Sequence, residues 1–122
     1  MTDYLPKFKP GDSITRKASA AIDGGQVVVV SGSGTVAPSA GANAAFVGMA
    51  AHPAAIGDDV TIYKGSVQRP LAASAIVAGD IIVTAANGRV ATNATPGTGQ
   101  QVGIALTSQA TAGQPVEVDF LR

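Results

Sequence analysis

An internal repeat constrains the fold of this chain more than any other feature of its sequence. Residues 25–37 align with residues 79–91, with a glycine, a run rich in β-branched residues, a second glycine and Val-Ala at matching places. Two more pairs of segments match in the same order, 47–50 with 102–105 and 57–62 with 113–118. The matches predict two copies of one structural unit, at about 11–63 and 64–120, within a single domain of residues 11–122.

Each copy has the pattern of short strands joined by tight turns. The β-branched runs 27–30 and 81–84 fit a pleated sheet and predict central strands. Turns rich in glycine, serine, alanine and asparagine follow both runs, so we expect each run to form a hairpin with the next segment, 35–37 or 89–91.

Alternation of apolar and polar residues predicts the remaining strands. Val60 with Ile62, and Val116 with Val118, are expected on half-buried strands, whereas 13–16 and 66–69 are expected on edge strands. The repeated glycines are predicted to be structural residues of the turns: Gly25, Gly34, Gly48, Gly57, Gly79, Gly88, Gly103 and Gly113.

Composition narrows the fold class. Alanine supplies 23 of the 122 residues and aromatic residues only 4%, which predicts a thin core. The alanine-rich segments 39–45 and 50–55 have room for a turn or two of helix, although glycine and proline punctuate both regions. The sequence predicts a mostly β protein with little helix: a small, internally duplicated β-barrel or β-sandwich with pseudo-two-fold related halves.

Charge and cysteine content exclude several function classes. Charged residues are only 13% of the chain and balance to zero, which argues against nucleic-acid binding. The sequence has no cysteine for a disulfide or a thiolate site, and no apolar run long enough to cross a bilayer. The N-terminal residues lack the apolar core of a signal peptide, so we expect a soluble cytoplasmic product without membrane contact.

The sequence contains few residues that could form a catalytic site. The chain has one histidine and one glutamate, and His52 is expected to be an exposed or singly hydrogen-bonded loop residue beside Pro53. Adjacent Asp58 and Asp59 face opposite sides of a strand, which does not suit a metal site. We therefore predict no enzyme activity, no metal and no cofactor. A lipoyl or biotinyl carrier domain presents a lysine at a hairpin tip, whereas these tips carry Ser33 and Asn87.

The chain resembles the small capsid decoration, or cement, proteins of tailed bacteriophages, a family long known only as a domain of unknown function. The resemblance spans nearly the whole chain. It rests on these segments: Gly11-Asp12, Gly25-Gln-Val-Val28, Val36-Ala37, Gly79-Asp-Ile-Ile82, Val102-Gly-Ile-Ala105, the Gly-x-x-Val-x-Val pattern at 113–118 and the closing Asp119-Phe-Leu-Arg122.

The resemblance implies a head-stabilising protein that joins a preassembled head from outside. Such proteins commonly act as homotrimers at three-fold or quasi-three-fold positions and hold neighbouring major capsid subunits together. The expected location is thus the outer capsid surface of the virion, after synthesis in the host cytoplasm. The alternative is a virion-surface domain that binds carbohydrate or a receptor, a class that usually presents aromatic platforms.

The N-terminal arm, residues 1–10, is the predicted capsid contact. It lies outside the repeat, and its two prolines favour an extended segment that can add to the edge of a capsid sheet. An arm that packs on its own domain is the alternative. The residues predicted to bind the capsid are Tyr4, Leu5, Pro6, Lys7 and Phe8.

Overall fold

Strands make up most of the chain's regular structure. The structure is a computed structural model that describes residues 13–94 and 100–121. Its strands are β1 (Ile14–Ala18), β2 (Val27–Gly32), β3 (Thr35–Pro38), β4 (Phe46–Ala50), β5 (Asp59–Tyr63), β6 (Val67–Gln68), β7 (Ile81–Ala85), β8 (Arg89–Thr92), β9 (Gly103–Ala105) and β10 (Val118–Phe120). The predicted mostly β fold is confirmed.

The first five strands form a closed barrel in the order β1-β3-β2-β4-β5. Strand β1 closes it, because β1 pairs in parallel with β3 through Ala18 and Val36 and antiparallel with β5 through Ile14 and Ile62. The expectation that this first strand lies at an edge is therefore wrong. Both of its sides are hydrogen-bonded, and a pairing between such distant segments leaves no local mark in the sequence.

The last five strands form a second sheet in the order β6-β10-β9-β7-β8. Strand β6 lies at one end of this order, in agreement with the predicted edge position, and it stops before Pro70. The sheet is bridged across its open side by one isolated parallel pair, Ala72 with Val90.

Hairpins form where the two β-branched runs predict them. Strand β2 pairs antiparallel with β3, and β7 pairs antiparallel with β8. The second reversal contains a 3-10 turn, Ala86–Gly88, in which Asn87 has a φ of 61°. No α-helix occurs in the described residues, so the alanine-rich segments 39–45 and 50–55 are not helical. Val116 is buried but precedes β10 instead of lying on a strand.

Two of the predicted turn glycines lie inside strands. Gly48 is buried in β4 and Gly103 begins β9, so the prediction of turns at these two positions is wrong. Their requirement is space: a Cβ on Gly103 would lie 2.5 Å from the backbone oxygen of Asp119 on the neighbouring strand. The other six predicted glycines all have positive φ: Gly25, Gly34, Gly57, Gly79, Gly88 and Gly113.

Two apolar clusters form the core. The first lies within the barrel and consists of Ala18, Ile22, Val28, Val36, Val47, Ala50, Ala54, Val60 and Ile62, with Ile14 packed against it. The second combines side chains of the second half with three from the barrel: Ala72, Ile76, Ile82, Val90, Val102, Ala105, Val116, Val118 and Phe120, with Val27, Phe46 and Met49. Strands β2 and β4 therefore contribute side chains to both clusters. The side chains on one face of each strand belong to the first cluster, and those on the other face belong to the second.

Positions that the sequence repeat aligns are unequally buried. Val27 is fully buried whereas its counterpart Ile81 is 42% exposed, and Thr84 is 1% exposed whereas its counterpart Val30 is 53% exposed. A two-fold contact between the halves would bury counterparts alike, because an isologous interface uses the same patch on both sides. The predicted pseudo-two-fold relation between the halves is therefore wrong.

In the described part of the chain, no helix has the length and apolar character that crossing a membrane requires.

Candidate binding surfaces

The capsid-contact residues predicted from the sequence lie outside the described residues. These are Tyr4, Leu5, Pro6, Lys7 and Phe8, together with the rest of the arm at residues 1–10. The structure gives the surface geometry of residues 13–94 and 100–121.

Hydrogen bonds join the barrel to the tip of the β7–β8 hairpin. The hydroxyl of Ser39 donates to the carbonyl oxygen of Ala85 at 2.6 Å, and the backbone N–H of Gly88 donates to the carbonyl oxygen of Ser39 at 3.0 Å. Thr84 uses its hydroxyl twice: it donates to the carbonyl oxygen of Gly41 at 2.7 Å and accepts from the backbone N–H of Asn43 at 2.9 Å. The segment after β3 is thus held against the second half.

Aromatic packing joins the same two parts. Phe46 on β4 and Phe120 on β10 stack with ring centroids 5.2 Å apart and an interplanar angle of 20°. Val27 and Met49, opposite each other on β2 and β4, belong to the second-half cluster. The outer face of these two strands is therefore covered by the second half.

An open cleft of about 510 Å³ lies along the seam between the halves. Gln26 crosses it: its Oε1 accepts from the backbone N–H of Asp23 at 2.8 Å, and its Nε2 donates to the carbonyl oxygen of Asn87 at 3.1 Å. The residues that line the cleft are Asp23, Gly24, Gly25, Gln26, Arg69, Leu71, Asn87, Gly88 and Arg89. None of them is aromatic, so the cleft lacks the stacking platform typical of a carbohydrate site.

The cleft carries more positive than negative charge. Arg69 is exposed and Arg89 is half-buried, and Asp23 is the one acidic residue of the lining. Among residues 13–94 and 100–121, no ion pair joins either arginine to a carboxylate. The cleft can therefore accept a carboxylate or backbone carbonyl oxygens from a protein partner, but it contains no nucleophile paired with a base.

Asp80 has a structural function in a turn. Its Oδ2 accepts from the backbone N–H of Val77 at 2.9 Å and from the hydroxyl of Thr92 at 2.8 Å. The Val77 N–H and then the Thr92 hydroxyl lower the pKa of Asp80 below its usual value of 3.8, and a smaller desolvation effect opposes them. Both donors stabilise the ionised carboxylate, which keeps Asp80 as an acceptor near neutral pH.

His52 is an exposed loop residue, but both of its ring nitrogens have partners. Nδ1 lies 2.8 Å from the carbonyl oxygen of Pro53, and Nε2 lies 3.2 Å from the backbone nitrogen of Thr61. A neutral ring that donates from Nδ1 and accepts at Nε2 satisfies both contacts. The side chain therefore fastens its loop to β5. Within the described residues, no group of three or more His, Cys, Asp or Glu could hold a metal ion.

Exposed apolar side chains on the two β-branched runs are the surface feature that the sequence reasoning missed. Val30 follows the buried residues of β2 and Ile81 begins β7, and both side chains are exposed. The sequence predicts central strands for both runs, which by itself does not indicate exposed side chains. Their terminal positions, next to a turn, are the available sign that they reach the surface.

Comparisons with known proteins identify the family. The sequence model of the phage cement protein family matches residues 8–120. The solved structure of the "head fiber gp8.5 N base" of bacteriophage phi29 is similar in fold, with a TM-score of 0.69 and 24% identity over 89% of this chain and 92% of that chain. No curated protein gives a significant match. Because the family model matches most of its length, the chain belongs to the phage cement protein family, a structural and non-enzymatic family, and is a component of the phage head.

Proposed function

We propose that this protein binds the outer surface of the assembled head and stabilises contacts between major capsid subunits. The observation that carries the proposal is the family match across residues 8–120. A surface with no net charge and several exposed apolar side chains supports it, since such a surface suits burial against other proteins. The charged cleft at the seam offers hydrogen-bond donors to a protein partner.

The proposed capsid contact is the N-terminal arm, residues 1–10. It precedes the barrel, whose first strand begins at Ile14, and the family match begins only at residue 8. An extended segment in this position can pair with the edge of a capsid strand without disturbing the barrel. Tyr4, Leu5 and Phe8 would supply the apolar side chains of that contact.

Deleting residues 2–10 tests the arm. We expect the deletion to abolish co-sedimentation with undecorated capsids while the thermal unfolding transition stays within a few degrees of the intact chain. The variant Arg69→Ala is the matched control, because it removes a charge from the cleft and leaves the arm intact. If the deleted chain binds as before and Arg69→Ala does not bind, the contact is the cleft and the arm proposal is wrong.

We also propose that the protein acts on the head as a homotrimer at three-fold or quasi-three-fold positions. Three linked copies that contact one symmetric shell gain affinity without strong individual contacts. Electron microscopy of undecorated capsids mixed with the purified protein tests this. The expected result is three-lobed density at those positions, and single-copy density elsewhere would contradict it.

We infer in addition that the two halves are copies of one structural unit. Read in the same direction, the sheets have the orders β3-β2-β4-β5-β1 and β8-β7-β9-β10-β6, so every strand has its repeat counterpart in the same place. The parallel pair Ala18 with Val36 has its counterpart in Ala72 with Val90. The isolated antiparallel pairs also correspond: Ile22 with Ala54, and Ile76 with Gln109.

A turn before each central strand supports the same inference. Gln26 accepts the backbone N–H of Asp23 at 2.8 Å, and Asp80, its counterpart, accepts the N–H of Val77 at 2.9 Å. An experimental structure in which the bridge between Ala72 and Val90 is missing would contradict the duplication.

A further inference from the structure

Two arginines line the cleft at the seam from neighbouring segments of the second half. The first belongs to residues 67–72, which pair antiparallel with the segment that leads into β10. Within these residues Pro70 and Ala72 are buried, whereas Arg69 and Leu71 are exposed. Because successive side chains of an extended segment point to opposite faces, Arg69 and Leu71 share the outer face.

Arg89 reaches the same face from β8. The parallel pair of Ala72 with Val90 aligns the two segments and places Arg89 beside Leu71. Both members of that pair are buried, so the residues before them point outward. The guanidinium of Arg89 extends over the neighbouring segment as far as Gly113, since a Cβ built on Gly113 would lie 3.8 Å from its Nη1.

The two guanidinium groups have unused donors. Among residues 13–94 and 100–121, neither Arg69 nor Arg89 donates a side-chain hydrogen bond or forms an ion pair. Glu117 lies opposite Arg69 in the register that β6 and β10 set, yet the two do not form an ion pair. A guanidinium presents its donors as a planar fork that matches a carboxylate, so two such forks on one face suit an anionic ligand.

The opposite wall of the cleft is a turn of the barrel that is already fixed in place. Gln26 is hydrogen-bonded at both ends of its amide, to Asp23 and to Asn87. Gly24 lies against the loop of His52, because a Cβ there would be 3.5 Å from the Cα of His52. The cleft is therefore formed before a ligand arrives, which lowers the ordering cost of binding. Its volume of about 510 Å³ leaves room for more than one carboxylate group.

We propose that this cleft binds an acidic segment of another protein. Arg69 and Arg89 donate to one carboxylate of that segment, and an apolar side chain beside the carboxylate rests on Leu71. Asp23 in the lining opposes a second negative charge on the ligand, which favours a carboxylate over a phosphate. The lining has no aromatic residue on which a nucleic-acid base could stack. The inference concerns the cleft and not the arm, so it goes beyond the capsid contact proposed above.

A peptide titration followed by nuclear magnetic resonance tests the cleft. The probe is acetyl-Leu-Asp-Leu-amide, whose one charge is the aspartate, and the protein is the full-length chain. We expect saturable shifts of the side-chain N–H resonances of Arg69 and Arg89 and of the backbone amide of Leu71. The matched peptide acetyl-Leu-Asn-Leu-amide has nearly the same shape without the charge and should give no saturable shift. Inorganic phosphate should bind more weakly than the acidic peptide.

Substitutions in the lining should change the peptide affinity in opposite directions. Arg69→Gln and Arg89→Gln are each expected to weaken binding by about tenfold or more, as the loss of hydrogen bonds to a charged group implies. Asp23→Asn should tighten binding, because it removes a like charge. Arg16→Gln is the matched control, since Arg16 lines the smaller groove on the barrel and not this cleft.

Circular dichroism melting checks that each variant folds, and Arg89→Lys, which keeps the charge and loses the fork, replaces Arg89→Gln if that variant does not fold. The proposal is overturned if the acidic peptide gives no saturable shift with the wild type, or if the neutral peptide binds equally well. Tighter binding of phosphate than of the peptide, or wild-type affinity in both arginine variants, also overturns it. These titrations use no capsids, so their failure would leave the arm experiment unaffected.

Discussion

Gly48 and Gly103 are required for a reason that differs from the usual one for glycine in β proteins. Each lies close to the backbone of the neighbouring antiparallel strand, and a Cβ at Gly48 would meet the backbone oxygen of Tyr63 and the side chain of Ile62. The sequence repeat marks both positions as important. It cannot distinguish a turn from a close approach, because both requirements leave only a glycine in the sequence.

Gly48→Ala is expected to lower the free energy of unfolding by about 1–3 kcal/mol, the range for overpacking a closely packed site. The backbone oxygen of Tyr63 cannot move aside as a flexible side chain would. Urea unfolding followed by circular dichroism measures the change. Gly41→Ala is the control, because a Cβ there has no atom within 4 Å. Equal stability of the two variants would show that the two neighbouring strands move apart at little cost.

Asp80 makes part of the stability dependent on pH. Because its pKa is lowered in the folded state, its contribution is present above the usual value of 3.8 and is lost as the pH falls through the lower, folded-state pKa. Gln26 occupies the corresponding turn as a neutral acceptor, so Asp80→Gln should fold. We expect it to be less stable than the wild type at neutral pH, with the difference narrowing as the solution is acidified.

Chemical unfolding of the wild type and of Asp80→Gln, repeated at pH values from neutral to about 3, measures this difference in stability. This pH range spans the usual carboxyl pKa. Asp58→Asn, at an exposed turn, controls for the loss of one negative charge. Curves for Asp80→Gln and the wild type that run parallel over the whole range would contradict the assignment.

The hairpins are the elements that the sequence predicts best. Strands β2 and β7 consist largely of β-branched residues and are followed at once by turn residues, so their type and their pairing with the next strand follow from local chemistry. The closure of the barrel by β1 does not, because Ala18 pairs with Val36 through contacts that only the whole fold creates. The unequal burial of Val27 and Ile81 is likewise a property of how the halves meet.

The stack between β4 and β10 is expected to be the strongest single link between the halves. Phe46→Ala and Phe120→Ala should each lower the free energy of unfolding by about 3–5 kcal/mol, since both rings are buried. The double variant should lose less than the sum, by about 0.5–1.5 kcal/mol, because the pair interaction is removed only once. Tyr63→Ala, an exposed aromatic residue on β5, is the control. Strict additivity of the two losses would mean that the rings do not support each other.

At the scale of the molecule, the two halves share a core. Val27, Phe46 and Met49 lie on barrel strands, but their side chains pack in the second-half cluster. The core of the second half is therefore completed by residues of the barrel. The sequence predicted the function class well, because an almost empty inventory of catalytic residues and a repeated β pattern both point to a structural protein. It did not predict the cleft, whose lining comes from Asp23, Arg69 and Arg89 in separate parts of the chain.

Because of this shared core, we expect the chain to unfold in a single cooperative transition. Near-ultraviolet and far-ultraviolet circular dichroism should give coincident melting curves, the former reporting on the packing of the aromatic side chains and the latter on the strands. Both should be recorded at one protein concentration, since self-association would raise the melting temperature with concentration. Two separated transitions would mean that the halves are independent.

The closed barrel also affects how crowded copies of this protein behave. Within residues 13–63, every strand from β1 to β5 has a hydrogen-bonded neighbour on both sides, so the barrel has no edge strand to which a neighbouring molecule could add along its full length. Molecules packed side by side must therefore meet through side chains at defined positions. The described part of the barrel therefore lacks the long exposed edge strand from which strand exchange and amyloid-like growth of concentrated β proteins commonly start.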